Sequence, residues 1–282
     1  MTARLIRRAG ALTLIAATTA AALTGCGAGI GAKLTFDDTE KAKITDIVIG
    51  GSSGGVQVTT GAAAETQIRR VIRSNGPDPE QSYRVDGSTL HLNTNCGHFC
   101  SVSYEVTAPA GVKVRGNLGS GDVALSEVGS ADISVSSGQV TLDRIAGEVK
   151  ARAESGEILA DGLSGAVTLG VNSGSISASG LSGGKPVRAS ASSGDIVLGL
   201  AAPASVSAQA TSGTIELTVP RDGTYRFAGP SIPAAPVPGA DENDNDHDNG
   251  NEDFESDLPN DPSATNVLEL RASSGTIRVA GV

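Results

Sequence analysis

A short phrase, Ser-Gly-x-(Val/Ile), returns seven times and constrains this chain more than any other feature. Its glycines stand at 121, 138, 156, 174, 194, 213 and 275, with successive separations of 17, 18, 18, 20, 19 and 62. A period near 18 marks a stacked repeat in which each unit is one supersecondary element. Counted from each repeat serine, apolar residues fill five columns. Six before it stand Val114, Ala131, Val149, Val167, Val187, Val206 and Leu268; the columns four and two before it and two and four after its glycine are filled in the same way. A spacing of two is the period of a strand with one face inward. Glycine suits a corner that needs positive φ or close backbone approach. The chain is therefore expected to be all-β: a β-solenoid of stacked two-strand coils, about 18 residues each, with Ser-Gly corners and a second Gly-rich turn at Gly129, Gly147 and Gly165.

One such unit cannot bury its own apolar face, so the coils must stack about 4.8 Å apart. Seven coils predict a rod roughly 30–35 Å long. The many alanines in the columns imply a thin interior. A composition of 2% aromatic residues with no Trp agrees with that.

Residues 1–25 read as a targeting segment. Arg4, Arg7 and Arg8 form a basic start, and the apolar run from Ala9 to Leu23 is too short to span a bilayer comfortably. The segment ends in Leu23-Thr24-Gly25-Cys26, which resembles the bacterial lipobox. That resemblance implies a lipid on the Cys26 sulfur and cleavage just before it. Two acyl chains suffice for stable anchoring. The expected partner is thus the membrane, reached through lipidated Cys26, with the chain exported to the outer face of the cell membrane. Removing Arg4, Arg7 and Arg8 from 21 basic residues leaves 18 against 31 acidic, a balance of −13, which argues against nucleic acid as a partner.

Residues 26–35 are small and form a tether, and 36–110 read as an irregular N-terminal β portion or cap. Ser53-Gly54-Gly55-Val56 looks like an early copy of the repeat phrase. The exposed edge of a stack needs such a cap against pairing with other chains. Cys96-Gly97-His98-Phe99-Cys100 lies in a loop of this portion. In an exported protein a Cys96–Cys100 disulfide is the default expectation; a metal site on Cys96, His98 and Cys100 has awkward spacing and no evident fourth ligand.

From Val106 the chain runs Val106-Thr107-Ala108-Pro109-Ala110-Gly111-Val112-Lys113-Val114 and then into the serial Ser-Gly-x-(Val/Ile) phrases. Together these resemble a large bacterial family of domains, the putative-adhesin family, associated with a toast-rack-like β-solenoid. The resemblance covers roughly 44–282 and implies a cell-envelope or surface protein. It implies no catalytic residues.

The regular solenoid, 111–282, is interrupted at about 226–265. The separation of 62 leaves roughly 43 residues beyond a normal coil, placed between Val219 and Val267. This insert opens Pro-rich, from Pro230 to Pro238, and carries ten acidic and no basic residues between 241 and 261. Such a composition predicts disorder. Asp244, Asp246, Asp248 and Glu255 mimic ligand positions 1, 3, 5 and 12 of a calcium loop, but Asn249 stands where glycine is needed and no flanking helices are predicted. A solvated acidic spacer is the competing account.

An enzyme of the β-helix class, acting on envelope polysaccharide, would set acids, bases or His on one outer face. The outward column Ala124, Thr141, Leu159, Ser177, Val197, Glu216 and Arg278 carries no such set. Neither His91, His98 nor His247 has an obvious partner. Glu154 and Glu157, or Asp143 and Arg144, fit solvated faces. The expectation is a non-catalytic, lipid-anchored surface protein in envelope interaction or structure, with no cofactor. A calcium-responsive module using the acidic insert is the alternative.

Overall fold

The computed structural model describes residues 32–74, 82–97, 100–229 and 254–282. Seven strands precede the regular repeat: β1 (Ala32–Glu40), β2 (Asp46–Gly50), β3 (Val56–Gly61), β4 (Thr66–Ser74), β5 (Tyr83–Asp86), β6 (Thr89–Asn93) and β7 (Cys100–Pro109); β8 (Lys113–Ser120) and β9 (Val123–Ser126) form its first coil. The repeat supplies β10 (Ser130–Asp143), β11 (Val149–Asp161), β12 (Val167–Leu181), β13 (Val187–Ser193), β14 (Ile196–Leu200), β15 (Val206–Ser212) and β16 (Ile215–Val219). The distal end holds β17 (Tyr225–Ala228), β18 (Phe254–Ser256), β19 (Asn266–Ser274) and β20 (Ile277–Gly281).

Two ladders run the length of the rod. The first follows the strands before each corner, in the order β5, β6, β2, β8, β10, β11, β12, β13, β15, β19, β17. The second follows the strands after each corner, in the order β1, β4, β7, β3, β9, β10, β11, β12, β14, β16, β20, β18. Coil to coil the pairing is parallel. Antiparallel pairing among the described strands is confined to the N-terminal end, where β1 pairs with β4, β4 with β7 and β5 with β6.

The register is the one the repeat requires. Ser137, Gly138 and Gln139 face Ser155, Gly156 and Glu157, and the ladder continues unbroken through the corner in β10, β11 and β12. The five apolar columns point inward and are buried from Val114 to Val279. A sixth buried column, Val128, Ile145, Leu163 and Leu181, lies in the Gly-rich second turn and closes the third side of each coil.

Each corner glycine is held at φ between +125° and +148°. A side chain on any of them would also strike the coil before it. A Cβ on Gly156 would lie 1.9 Å from the Gly138 carbonyl oxygen, and one on Gly174 would lie 1.8 Å from that of Gly156. Gly54 belongs to the same column, since a Cβ on Gly121 would meet its carbonyl at 2.0 Å. The residue after the glycine has its own task where it is Asp. Asp122 accepts the Gln139 N–H at 2.9 Å and Asp195 accepts the Thr214 N–H at 2.8 Å, so each carboxylate caps a corner amide of the next coil.

The ends depart from sequence order. The coil β2/β3 lies between β6/β7 and β8/β9, although the chain visits β6/β7 between them. At the far end β19/β20 lies between β15/β16 and β17/β18. The stack therefore has more coils than the Ser-Gly count of seven: β6/β7, β2/β3 and β17/β18 extend it to roughly 45 Å at the usual strand spacing.

The region expected to be a disordered insert is corrected in part. Residues 225–228 and 254–256 are strands of a terminal coil. Gly229, at φ +147°, stands where other coils place their corner, and a Cβ there would lie 2.2 Å from the Leu270 carbonyl oxygen. The described chain stops at that corner, at Gly229, and resumes at Phe254 on β18; residues 230–253 lie outside the described residues. Sequence counting missed this coil because it lacks the Ser-Gly phrase; its signal is the alternation Tyr225-Arg226-Phe227.

Candidate functional site

Of the residues singled out by sequence, Cys26, Asp244, Asp246 and Asp248 lie outside the described residues, as do His98 and His247. Glu255 sits on β18 with its carboxylate 3.7 Å from the Arg278 guanidinium, which also faces Glu216 at 3.7 Å. Among the described residues no group of three or more His, Cys, Asp or Glu is placed to hold a metal ion.

Cys96 and Cys100 are joined in a disulfide with Cα atoms 5.4 Å apart. It lies at the corner of the outermost N-terminal coil, between β6 and β7. The neighbouring Asn95 accepts hydrogen bonds from the Ser52 N–H at 2.9 Å and the Ser52 hydroxyl at 2.6 Å. The cystine turn is thereby tied to the corner of the coil β2/β3.

That end of the rod is closed by a polar plug. Arg70 is in phase with the buried Ile68 and Ile72 on β4, so its side chain points inward. Its guanidinium lies 2.8 Å from Asp38, 4.9 Å from the Phe36 ring centroid and 4.9 Å from that of Tyr83. The pair is largely shielded, with 14% and 17% of the two side chains exposed. The Tyr83 hydroxyl donates to Glu40 at 3.0 Å, and burial beside Asp38 and Glu40 holds it far above its usual pKa. The Tyr104 hydroxyl shares its proton between the Ser82 and Asn93 carbonyls; burial pushes its pKa up to about 12. Replacing Arg70 by Ala strands Asp38 in a shielded site, and we expect a loss of about 3 kcal/mol. Arg69→Ala, on an exposed pair with Asp37, should stay within about 0.5 kcal/mol. Hydrogen exchange at β1 and β4 reads the difference; equal effects of the two changes would refute the plug.

The outer faces differ in charge. On the second ladder, register places Asp37, Arg69, Glu105, Gln57, Ala124, Thr141, Leu159, Ser177, Val197, Glu216, Arg278 and Glu255 in one row. Charges occupy its ends, and its middle is neutral. A shallow hollow of about 340 Å³ lies there, lined by Thr141, Asp143, Leu159, Asp161, Ser177 and Ser179. The Ser179 hydroxyl donates to Asp161 at 2.5 Å. The first ladder instead presents Lys113, Arg115, Lys150, Arg152 and Arg188, all exposed. These wide, flat ladder faces are what the rod offers to its surroundings.

A family model described as Toastrack DUF4097 matches residues 44–280. The chain belongs to the Toastrack DUF4097 family. Solved structures similar to this toastrack chain include a putative adhesin from Parabacteroides merdae, 12% identical, covering 90% of this chain and 97% of that one at a TM-score of 0.42. A putative adhesin from Bacteroides fragilis is 12% identical over 88% and 97% of the two chains, at 0.37. A putative cell adhesion protein from Clostridium sporogenes is 10% identical over 88% and 100%, at 0.29. No curated protein matches the chain.

Proposed function

We propose that this toastrack protein is a non-catalytic, lipid-anchored component of the cell surface that works by presenting the ladder faces of its rod to the envelope. One observation carries the reading: the first strand, β1, begins at Ala32, six residues after the lipobox Cys26, and it belongs to the plugged end of the rod. A lipid on Cys26 would hold that end at the membrane. The coil that carries the acidic residues then stands at the far end, and both ladder faces are left open between them. Adhesin-type interaction needs such a displayed, rigid surface, and a two-ladder stack supplies it without moving parts.

The test uses the full-length chain in bacterial cells. Cys26→Ala should abolish fatty-acid labelling and move the protein from the membrane to the soluble exported fraction. Wild-type protein should be cleaved by protease added outside the cytoplasmic membrane and should be retained on fractionated envelope. An unlabelled wild type, or full protection from external protease, would refute the anchored surface reading.

A further inference from the structure

The first ladder carries a strip of cations at a spacing set by the coils. Register places Arg115, Asp132, Lys150, Thr168 and Arg188 side by side on β8, β10, β11, β12 and β13. Cations thus recur on alternate coils, about 9.6 Å apart at the usual strand spacing. In the adjacent row Arg152, Gly170 and Ser190 stand side by side on β11, β12 and β13. A Cβ on Gly170 would come within 3.3 Å of the Ser190 hydroxyl and 3.8 Å of Arg152 Cγ. The glycine therefore leaves a low floor between the Lys150–Arg152 pair and Arg188. Lys150 is engaged by Glu148 at 2.9 Å on an exposed pair, whereas no ion pair among the described residues engages Arg115, Arg152 or Arg188.

Among the described residues, Arg115, Arg152 and Arg188 stand without a carboxylate partner on one flat face, in register. A carboxylate or phosphodiester oxygen seated over Thr168 and Gly170 could be reached by Arg152 from one side and Arg188 from the other, with Ser190 as a further donor. A guanidinium fork suits either anion. The cations are interleaved with carboxylates: Asp132 stands in the row itself between Arg115 and Lys150, Glu148 lies beside it, and Glu269 lies farther along the same ladder. An anionic membrane, which would meet the whole face, would meet those carboxylates too. A linear chain with an anion on alternate units can set its anions on the cations and an uncharged unit over Asp132.

We propose that this strip binds a linear polyanionic glycan of the envelope, seating one anionic group in the Arg152–Gly170–Arg188 cradle and others along the row toward Arg115. A polymer with an acid on alternate sugars repeats on the same length scale as alternate coils. The proposal rests on the surface reading above and names the partner's chemistry.

The experiment titrates full-length protein in detergent with a hyaluronan decasaccharide, which bears a carboxylate on alternate sugars. Neutral chitin oligosaccharide and phosphatidylglycerol vesicles are run beside it. The decasaccharide should bind, the chitin oligosaccharide should not, and the affinity should fall with salt at a log–log slope of about −2 for three cations. Arg152→Glu combined with Arg188→Glu should weaken binding at least about tenfold, and Gly170→Glu, which fills the floor, should do the same. Arg73→Glu, on the opposite ladder face, should change it less than about twofold. All four positions are at the surface, and unchanged thermal unfolding confirms that each variant is folded. Wild-type affinity in the double variant, no decasaccharide binding, or equal binding to the vesicles would overturn the proposal. If the double variant is still retained on whole envelope, the cradle alone fails; if wild-type protein is not retained either, the surface reading fails with it.

Discussion

Gly156→Ala is expected to destabilise the rod by about 4 kcal/mol, whereas Ser155→Ala one residue earlier should change stability by no more than about 0.5 kcal/mol. Two costs combine at Gly156. Its φ of +148° is one that residues with a Cβ rarely adopt, and holding Ala there costs on the order of 1–3 kcal/mol. The added carbon would also lie 1.9 Å from the Gly138 carbonyl oxygen and 3.0 Å from its carbonyl carbon. These atoms are backbone, fixed in register on both sides, so no side chain can swing aside. Relief requires the coils to part, and parting them breaks the ladder that runs through Ser155, Gly156 and Glu157. Ser155 is exposed and leaves the corner intact when its hydroxyl is removed. Because a coil touches only its neighbours, the damage should be local. Amide exchange should accelerate first in β10, β11 and β12, with β19 and β20 affected least. A loss under about 1 kcal/mol would show that the corner can relax and that the stacked glycines are not required.

The repeat made the middle of the molecule legible because every coil there obeys the same two constraints, an inward period of two and a glycine at the corner. Five columns follow from that alignment alone. The sixth, from Val128 to Leu181, was hidden because its residues sit singly among Gly and Ser, where no alternation announces a buried side. The ends were less legible for a different reason. Sequence order stops matching spatial order there, and nothing local marks β2/β3 or β19/β20 as the interposed coil. Arg70 did leave a signal: an arginine in phase with Ile68 and Ile72 must either break the strand or find a buried partner, and Asp38 is that partner. The cation strip is present in the aligned repeats as one outward column, Arg115, Asp132, Lys150, Thr168, Arg188, Ser207 and Glu269. Its meaning depends on which arginines find carboxylates, and only the assembled ladder decides that.

Deleting residues 266–282 should cost the distal end far more than the one coil removed. The deleted segment contains β19 and β20, whose Leu268, Leu270, Ala272, Ile277 and Val279 are all buried. Burying a Leu, Ile or Val side chain contributes roughly 1.5–3 kcal/mol, so the direct loss is about 6–12 kcal/mol as an upper estimate. The topology adds to it. β17 pairs with β19, and β18 pairs with β20, so the terminal coil reaches the rod only through the coil that has gone. Its Tyr225, Phe227 and Phe254 lose the floor they pack on; the two Phe rings meet edge-on with centroids 5.7 Å apart. Re-docking on β15/β16 would set Tyr225 and Phe227 over a ladder whose inward residues, Val206, Ala208 and Ala210, have been packed against smaller partners. We therefore expect protection to vanish from Tyr225 to Ala228 and Phe254 to Ser256 as well as from the deleted coil, while β8–β14 keep theirs. Replacing residues 230–253 with a Gly-Ser linker of equal length should leave all of these strands protected, because it alters none of their residues. Protection retained in β17 and β18 after the deletion would mean that the terminal coil can close the rod without the interposed one. The C-terminal coil would then be a removable layer and not the piece that fastens the end.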